Sequence, residues 1–299
     1  MSSDCFIESL DPEEAFAVLA DDTRIKIIQA LWEADEQRAS FSELRNAVGM
    51  RDSGKFNYHL GKLTDRFVRK TNDGYELRTA GNLVIGAILA GGYTVSGSIE
   101  PISLDDPCPQ CSNHLLFKYE DERVVVDCEK CFFATMFPVP PGAFIGHEID
   151  AFPDISGEYV RSKVSKLLAG FCSLCDGSTE ISITALADYS NDIEQDALVE
   201  YPIVLFECTR CNSTHQLGLN SVLIDHPAVI SFFHEHDMDI RRIPLWRLDA
   251  IVLGDRDEAY QVHEDPTRGT VTFSIDGDHL RVTVDESLEV TELKRSVTD

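Results

Sequence analysis

Eight of the nine cysteines stand in four C-x-x-C pairs, the strongest chemical signal in this 299-residue chain. Cys108 and Cys111 are followed after sixteen residues by Cys128 and Cys131. Cys172 and Cys175 are followed after thirty-two by Cys208 and Cys211. Two C-x-x-C turns at the ends of a strand pair deliver four soft thiolates to one tetrahedral point, which is zinc-ribbon spacing. The expectation is two Zn2+ ions, one for each set, with a single interleaved site joining the sets as the alternative. A four-thiolate zinc site is coordinatively closed, so the expected role is structural, each ion folding a module too small for its own core. A redox or metal sensor is the competing role. The glycine that often follows a ribbon C-x-x-C is missing, and Ser112, Phe132, Asp176 and Asn212 stand there instead. No βαβ pattern surrounds the pairs, which disfavours a thioredoxin-like reading. Cys5 reads as a lone thiol.

His114 and His215 follow C-x-x-C pairs and are expected beside the ligand spheres or in solvent. In "HPAVISFFHEHD" the helix separates His234 from His236 around its axis, so these two and His226 are not expected to hold a metal. No nucleophile–base motif, phosphate loop or paired-carboxylate signature is present, and the chain is not expected to be an enzyme.

A second stretch, "KFNYHLGKL" (residues 55–63), has the residue types of a DNA-reading helix. Phe56, Leu60, Leu63 and Phe67 recur at three- and four-residue steps and are expected to face a core, with His59 packed beside them. The opposite face then carries Ser53, Lys55, Asn57, Tyr58 and Lys62. Asn can bond adenine edges, Lys guanine or phosphate, and Tyr thymine methyls or phosphate. Arg51, Arg66, Arg69, Lys70 and Asn72 flank the helix and complete the set of candidate DNA contacts.

The whole chain is acidic, with 26 basic against 52 acidic residues and a formal charge of -26. The acidity is uneven. From Arg45 to Lys70 seven basic residues meet only Asp52 and Asp65. Nine lysines against seventeen arginines, with the acids dispersed, resembles the proteins of salt-accumulating halophiles, an ordinary acidic protein being the alternative. In such a cytosol counterion release gives little affinity, so DNA binding must lean on base edges and dimer geometry.

These residues need elements to hold them. "DPEEAFAVLA" and "DDTRIKIIQALWEA" read as helices, the second capped by Asp22 or Thr23 and burying Ile25, Ile28, Leu31 and Trp32. Ser40 and Glu43 form a capping box opening a helix to about Val48. The next helix starts after Asp52 or Ser53 and is expected to reach about Phe67. "FVRKTNDGYELRT" reads as a hairpin around Asn72-Asp73-Gly74. "AGNLVIGAILAGG" follows as a helix expected to dimerise the domain, closure of the domain's own core being the alternative. Together with "VLADDTRIKIIQAL", "FSELRNAVGM", "SGKFNYHLGKLTDRFVRK" and "DGYELRTAG", this order resembles the ArsR-type winged helix-turn-helix of archaeal, and specifically haloarchaeal, regulators. The resemblance covers the first 80 to 90 residues and implies a winged-helix fold and DNA binding. Family members that sense metals through helix cysteines find no counterpart here, since no cysteine lies between Phe6 and Pro107.

Residues 96–146 and 170–220 read as a degenerate internal repeat, each with a C-x-x-C, a strand pair and a second C-x-x-C. For the second the strands are expected near 179–187 and 198–206, around the polar loop "DYSNDIEQDA". Between the repeats, "DISGEYVRSKVSKLLAG" is an amphipathic helix with Ile155, Tyr159, Val160, Val164, Leu167 and Leu168 on one face and Gly170 as its stop. A helix at "HPAVISFFHEH" and strands at about 259–263, 270–275, 279–284 and 288–293 end the chain, an Asp276-Gly277 turn joining two of the strands.

The expected architecture is multidomain α+β. It comprises a winged helix-turn-helix with a dimerisation helix (1–95), a zinc-ribbon module (96–147), a linker helix with a second ribbon (148–220) and a helix plus β-hairpin region (221–299). No basic, apolar leader and no bilayer-length apolar run are read, so the expectation is a cytoplasmic protein without a membrane partner. The expected function is sequence-specific binding of double-stranded DNA by a homodimeric transcriptional regulator, the zinc-bearing remainder serving as scaffold or sensor. The alternative is a transcription-machinery adaptor whose ribbons dock polymerase or another protein partner.

Overall fold

Four helices of the amino-terminal unit begin on a side chain that satisfies their free N–H groups. Asp11 caps α1 (Pro12–Leu19), Asp21 caps α2 (Asp22–Glu33), Ser40 caps α3 (Phe41–Ala47) and Asp52 caps α4 (Ser53–Leu63). The computed structural model describes residues 11–189, 201–252, 260–264 and 267–297, and its contacts divide into two units, Met1–Val95 and Ser96–Asp299. Cys5 lies outside the described residues.

Asp21, and not Asp22 or Thr23, caps α2 because its Oδ1 accepts from both Thr23 N and Arg24 N, at 3.0 and 3.1 Å. With that start the buried stripe falls on Ile27, Ile28 and Leu31, while Ile25 is half-buried and Trp32 is 38% exposed. The Ser40–Glu43 capping box forms, Ser40 Oγ accepting from Glu43 N and Glu43 Oε2 from Ser40 N. Helix α4 stops at Leu63, four residues before the expected end. Thr64 is extended (ψ 145°), its Oγ1 donates to Leu60 O, and Asp65 takes φ +74°. Phe67 is buried all the same, since the turn returns it to the core of Phe56, Leu60 and Leu63.

The expected hairpin is β2 (Val68–Thr71) and β3 (Gly74–Leu77), followed by α5 (Thr79–Leu89). A third strand, β1 (Arg38–Ala39), pairs with β3 and gives the order β1-β3-β2. Gly74 makes that pairing feasible. It sits at φ +141°, and a Cβ there would lie 2.5 Å from Ala39 O.

Among the described residues the second unit has three antiparallel sheets. The first is a meander of β4 (Ile99–Pro107), β5 (His114–Glu120), β6 (Arg123–Asp127) and β7 (Ala134–Pro138), in which β4 and β7 extend the expected strand pair. Asp121 and Glu122, both at positive φ, make the β5–β6 turn. Helix α6 (Phe152–Leu168) follows. The second sheet orders β10-β9-β8, with β8 at Thr179–Ala185, β9 at Pro202–Cys208 and β10 at Thr214–Gly218. β8 is shorter than expected, the chain turning into α7 (Leu186–Tyr189), and the rest of the polar loop lies outside the described residues. Then come α8 (Leu219–Val222), α9 (Pro227–Glu235) and α10 (Leu245–Val252). The last sheet is a meander of β11 (Tyr260–Glu264), β12 (Thr267–Ile275), β13 (Asp278–Asp285) and β14 (Val290–Val297). Its β12–β13 turn is the expected Asp276-Gly277.

Two cores organise this unit. One joins Phe206 of β9, Leu219 of α8, Phe232 and Phe233 of α9, and Phe273 of β12, so the second cysteine module and the terminal sheet share an interior across residue 220. The other lies on the first sheet, around Leu115, Phe117, Val124 and Val126, and takes in Trp246 from α10. Helix α6 serves both. Phe152, Ile155 and Tyr159 pack on the first-sheet core, Leu167 and Leu168 on the other. Its apolar residues therefore divide lengthwise between two neighbours, where the sequence pattern suggested one face.

Candidate metal centres and nucleic-acid face

The four C-x-x-C turns are built alike. The first cysteine's N–H donates to the carbonyl five residues on: Cys108 to Asn113, Cys128 to Phe133, Cys172 to Gly177 and Cys208 to Ser213. The N–H two residues on (Gln110, Lys130, Leu174, Arg210) points at the first cysteine's Sγ, 3.4 Å away in every case. Such N–H dipoles favour thiolate over thiol. The expected glycine positions take left-handed backbone in three of the four turns, with φ +59° at Ser112, +59° at Asp176 and +57° at Asn212. Aspartate and asparagine tolerate that region and Ser112 adopts it here, so the missing glycines leave these turns intact. Phe132 is the departure, outside the left-handed region and 85% exposed.

Turns 108–111 and 128–131 converge from the β4–β5 and β6–β7 connections. Turns 172–175 and 208–211 converge from the segment before β8 and the β9–β10 connection. Each set gathers its four Sγ atoms within 4.8 Å of one another, and no interleaved set forms. Cys108–Cys131 and Cys111–Cys128 are each 3.4 Å apart, Cys175–Cys208 3.5 Å and Cys172–Cys211 3.8 Å. Four sulfurs at roughly 2.3 Å from a tetrahedral zinc would be about 3.8 Å from one another, so each cluster has the dimensions to hold one such ion. All eight thiols are free of disulfides.

The surroundings differ between the clusters. In the first, the Asn113 side-chain amide approaches Cys111 Sγ at 3.3 Å and, with the Asn113 backbone, lowers that thiol to about 6. Burial pushes Cys131 up to about 12. In the second, burial opposes ionisation of Cys172, but the Ser213 hydroxyl at 3.3 Å and the His215 ring at 3.8 Å outweigh it and hold the thiol near 5. Ser213 also lies 3.1 Å from Cys211, the one exposed ligand residue of the eight. Cys111 in the first cluster and Cys172 in the second are thus held well below the ordinary thiol value, in the direction of the thiolate that a metal requires. Neither Asn113 nor Ser213 is a metal-ligand type, and the signal that marks them in the sequence is their shared place two residues after a second cysteine of the internal repeat.

His215 adjoins the second cluster, while His114 is exposed. His226 caps α9, its Nδ1 accepting from Ala228 N at 3.2 Å. His236 lies 3.3 Å from Asp278, and His234 faces solvent. Among the described residues these histidines form no metal cluster.

On α4, Phe56, Leu60 and Leu63 are buried, and Ser53, Lys55, Asn57, Tyr58 and Lys62 lie on the exposed side. Lys62 Nζ sits 5.7 Å over the Tyr58 ring. His59 Nδ1 lies 3.2 Å from Asp21 Oδ1, tying α4 to the start of α2. Burial opposes ionisation of Asp21, but the Arg24 N–H, His59 and the Arg24 charge keep its pKa below the ordinary value. Arg51, Lys70 and Asn72 are exposed and Arg66 is half-buried. Arg69 differs from the other candidates, because it and Arg38 of β1 both bind Glu76 of β3. These bonds, Arg69 foremost, hold the Glu76 pKa below its ordinary value. Arg38 carried no signal in the sequence, its role depending on the β1–β3 pairing.

A family model described as Domain of unknown function (DUF7347) matches residues 12–88, the helices and small sheet of the first unit. No curated protein matches the chain. No described helix is long and apolar enough to cross a membrane. A second family model, spanning both cysteine clusters and the terminal sheet as far as the start of β14, matches residues 105–290, and the chain accordingly belongs to the family described as Domain of unknown function (DUF7351).

Proposed function

We propose that the chain is a sequence-specific DNA-binding transcriptional regulator of a high-salt cytosol, with an amino-terminal winged helix-turn-helix and a zinc-stabilised carboxy-terminal region. The observation that carries this reading is α4, whose buried Phe56–Leu60–Leu63 stripe leaves Lys55, Asn57, Tyr58 and Lys62 together on the exposed face. Amide, ammonium and phenol groups on one helical face match the donors and acceptors of a major groove. The β2–β3 hairpin that follows is in the place of a wing, with Lys70 and Asn72 as its DNA contacts. Arg51 and Arg66 flank the helix as phosphate contacts, and Arg69 serves only if it leaves Glu76. Homodimerisation uses α5, where Leu83 and Leu89 are 69% and 55% exposed.

Each cysteine cluster takes one Zn2+, the borderline-soft ion for which four thiolates in tetrahedral array are a closed structural site. When bound it supplies a cross-link between two turns and no catalysis. The adaptor reading draws on Phe171 and Leu174, large apolar side chains exposed at the second cluster and suited to a protein partner.

Selection of sites from random double-stranded DNA in molar potassium chloride separates the two readings. A regulator enriches a short dyad-symmetric element, and Asn57→Ala with Lys62→Ala abolishes the enrichment. Enrichment of no element, with broad promoter occupancy that survives the double substitution, would reject the regulator in favour of the adaptor.

A further inference from the structure

A cleft of about 590 Å³ lies within the second unit, between the first cysteine module and the second sheet. Residues 134–137 of β7 and 216–218 of β10 line it without a gap. A strand presenting a face contributes alternate residues, so an unbroken run means that each strand presents its edge. β7 and β10 are edge strands of their sheets. The walls thus offer backbone N–H and C=O groups beside the rings of Phe137 and Trp246, which stack at 6.1 Å. Although 26% of the chain is charged, no described residue lining the cleft is. A charged ligand would find no counter-ion among these residues, and its desolvation inside would go uncompensated. Arg123 reaches only the exposed rim, where its guanidinium donates to Met136 Sδ at 3.8 Å.

The lip carries an independent sign. Three of the four cysteine turns place Ser112, Asp176 or Asn212 at one position, and the metal turn requires nothing larger. The fourth places Phe132 there, 85% exposed and lining the cleft. Met136, also on the lining, is 58% exposed. Leaving such surface in water is unfavourable. The turn's geometry does not explain it; contact with an apolar ligand does.

We infer that this cleft is a binding site for a small, neutral, predominantly apolar ligand carrying an amide, carbonyl or hydroxyl group, which Phe132 and Met136 cover and the two strand edges bind. Its volume falls in the range of roughly 300–1,000 Å³ usual for small-molecule pockets. The inference is independent of DNA binding and is tested without DNA.

Trp32→Phe leaves Trp246 as the sole tryptophan of the full chain, and its fluorescence reports on the cleft. The probes are N-phenyl-1-naphthylamine, which is neutral, and 8-anilino-1-naphthalenesulfonate, the same rings bearing a sulfonate. The neutral dye is expected to quench Trp246 saturably at one dye per chain, with the sulfonate roughly tenfold weaker. Phe132→Asp, at an exposed position, is expected to weaken the neutral dye by roughly tenfold or more while metal content and far-ultraviolet dichroism stay unchanged. Leu174→Asp, on a different cysteine turn, should leave the affinity as it was. Absence of binding, equal binding of the two dyes, or indifference to Phe132→Asp would overturn the inference. So would a Phe132→Asp chain whose only change is a lower sedimentation mass, which would assign the cleft to a contact between copies.

Discussion

Trp246 and Asp106 stand 140 residues apart in the chain, and the indole Nε1–H of the first donates to Oδ2 of the second at 3.2 Å. Arg247 binds the other carboxylate oxygen, so α10 is latched by two adjacent residues to β4, two residues ahead of Cys108. Asp106 is buried, and its partners leave little of the carboxylate to water.

Asp106→Ala strands a buried indole N–H and a guanidinium. The expected loss is about 1–3 kcal/mol. Urea unfolding of the Trp32→Phe chain, followed through Trp246, measures it. An unchanged midpoint would show that the latch adds nothing to stability.

The cysteine clusters should behave as two independent ion sites. Cys108→Ser and Cys208→Ser are each expected to remove one Zn2+ per chain in native mass spectrometry, leaving the other ion in place. Since Cys211 is exposed and no ligand residue of the first cluster is, a chelator should empty the second cluster first. Simultaneous loss from both would contradict their separation.

Gly177 tests the second cluster at one atom. A Cβ there would lie 2.8 Å from Arg210 Cβ and 3.2 Å from Sγ of both Cys175 and Cys208. Gly177→Ala should therefore speed metal release from that cluster alone, with one fast and one unchanged phase in a chelator time course.

Glu76 links the first unit to pH. Its folded pKa lies below the ordinary 4.5, so the Arg38 and Arg69 pairs add stability that is present above 4.5 and lost as pH falls through the folded value. Glu76→Gln should lower Tm at pH 7, and the gap to the native chain should close in acid. In a Trp246→Phe chain, Trp32 fluorescence follows this unit. A gap that persists at low pH would assign the effect to packing rather than charge.

Asp52 combines two roles that substitution can separate. Its Oδ1 accepts from Gly54 N and Lys55 N at the head of α4, and its charge sits among the candidate DNA contacts. Asp52→Asn keeps an acceptor and removes the charge, so DNA should bind several-fold tighter at nearly unchanged stability. Asp52→Ala loses the cap and about 1 kcal/mol. Weaker DNA binding by the asparagine variant would argue against this face.

Much of the fold was legible because its causes are local. The Ser40–Glu43 box, the Asn72-Asp73 and Asp276-Gly277 turns and the α4 stripe depend on residues two to eight positions apart, where spacing alone decides which groups can meet. The cysteine turns were legible for the same reason, each closing on itself within five residues, whereas their grouping into two sets needed the strand connections that bring the turns together. The boundaries were less so. Thr64 ends α4 through a side-chain bond that competes with the helix, and Asp21 outdoes Asp22 by reaching two N–H groups at once.

The sequence by itself determined the cysteine spacing, the strand and helix periods, and the local reversal of charge around α4. Only the tertiary structure decided that β1 completes a sheet through Gly74, that Arg69 is engaged by Glu76, that α6 divides its length between two cores, and that Trp246 closes on Asp106. Each of these joins groups distant along the chain, so its stability depends on which surfaces meet after collapse. The cleft belongs with them, since two strand edges and a phenylalanine form a binding site only where packing leaves space between them.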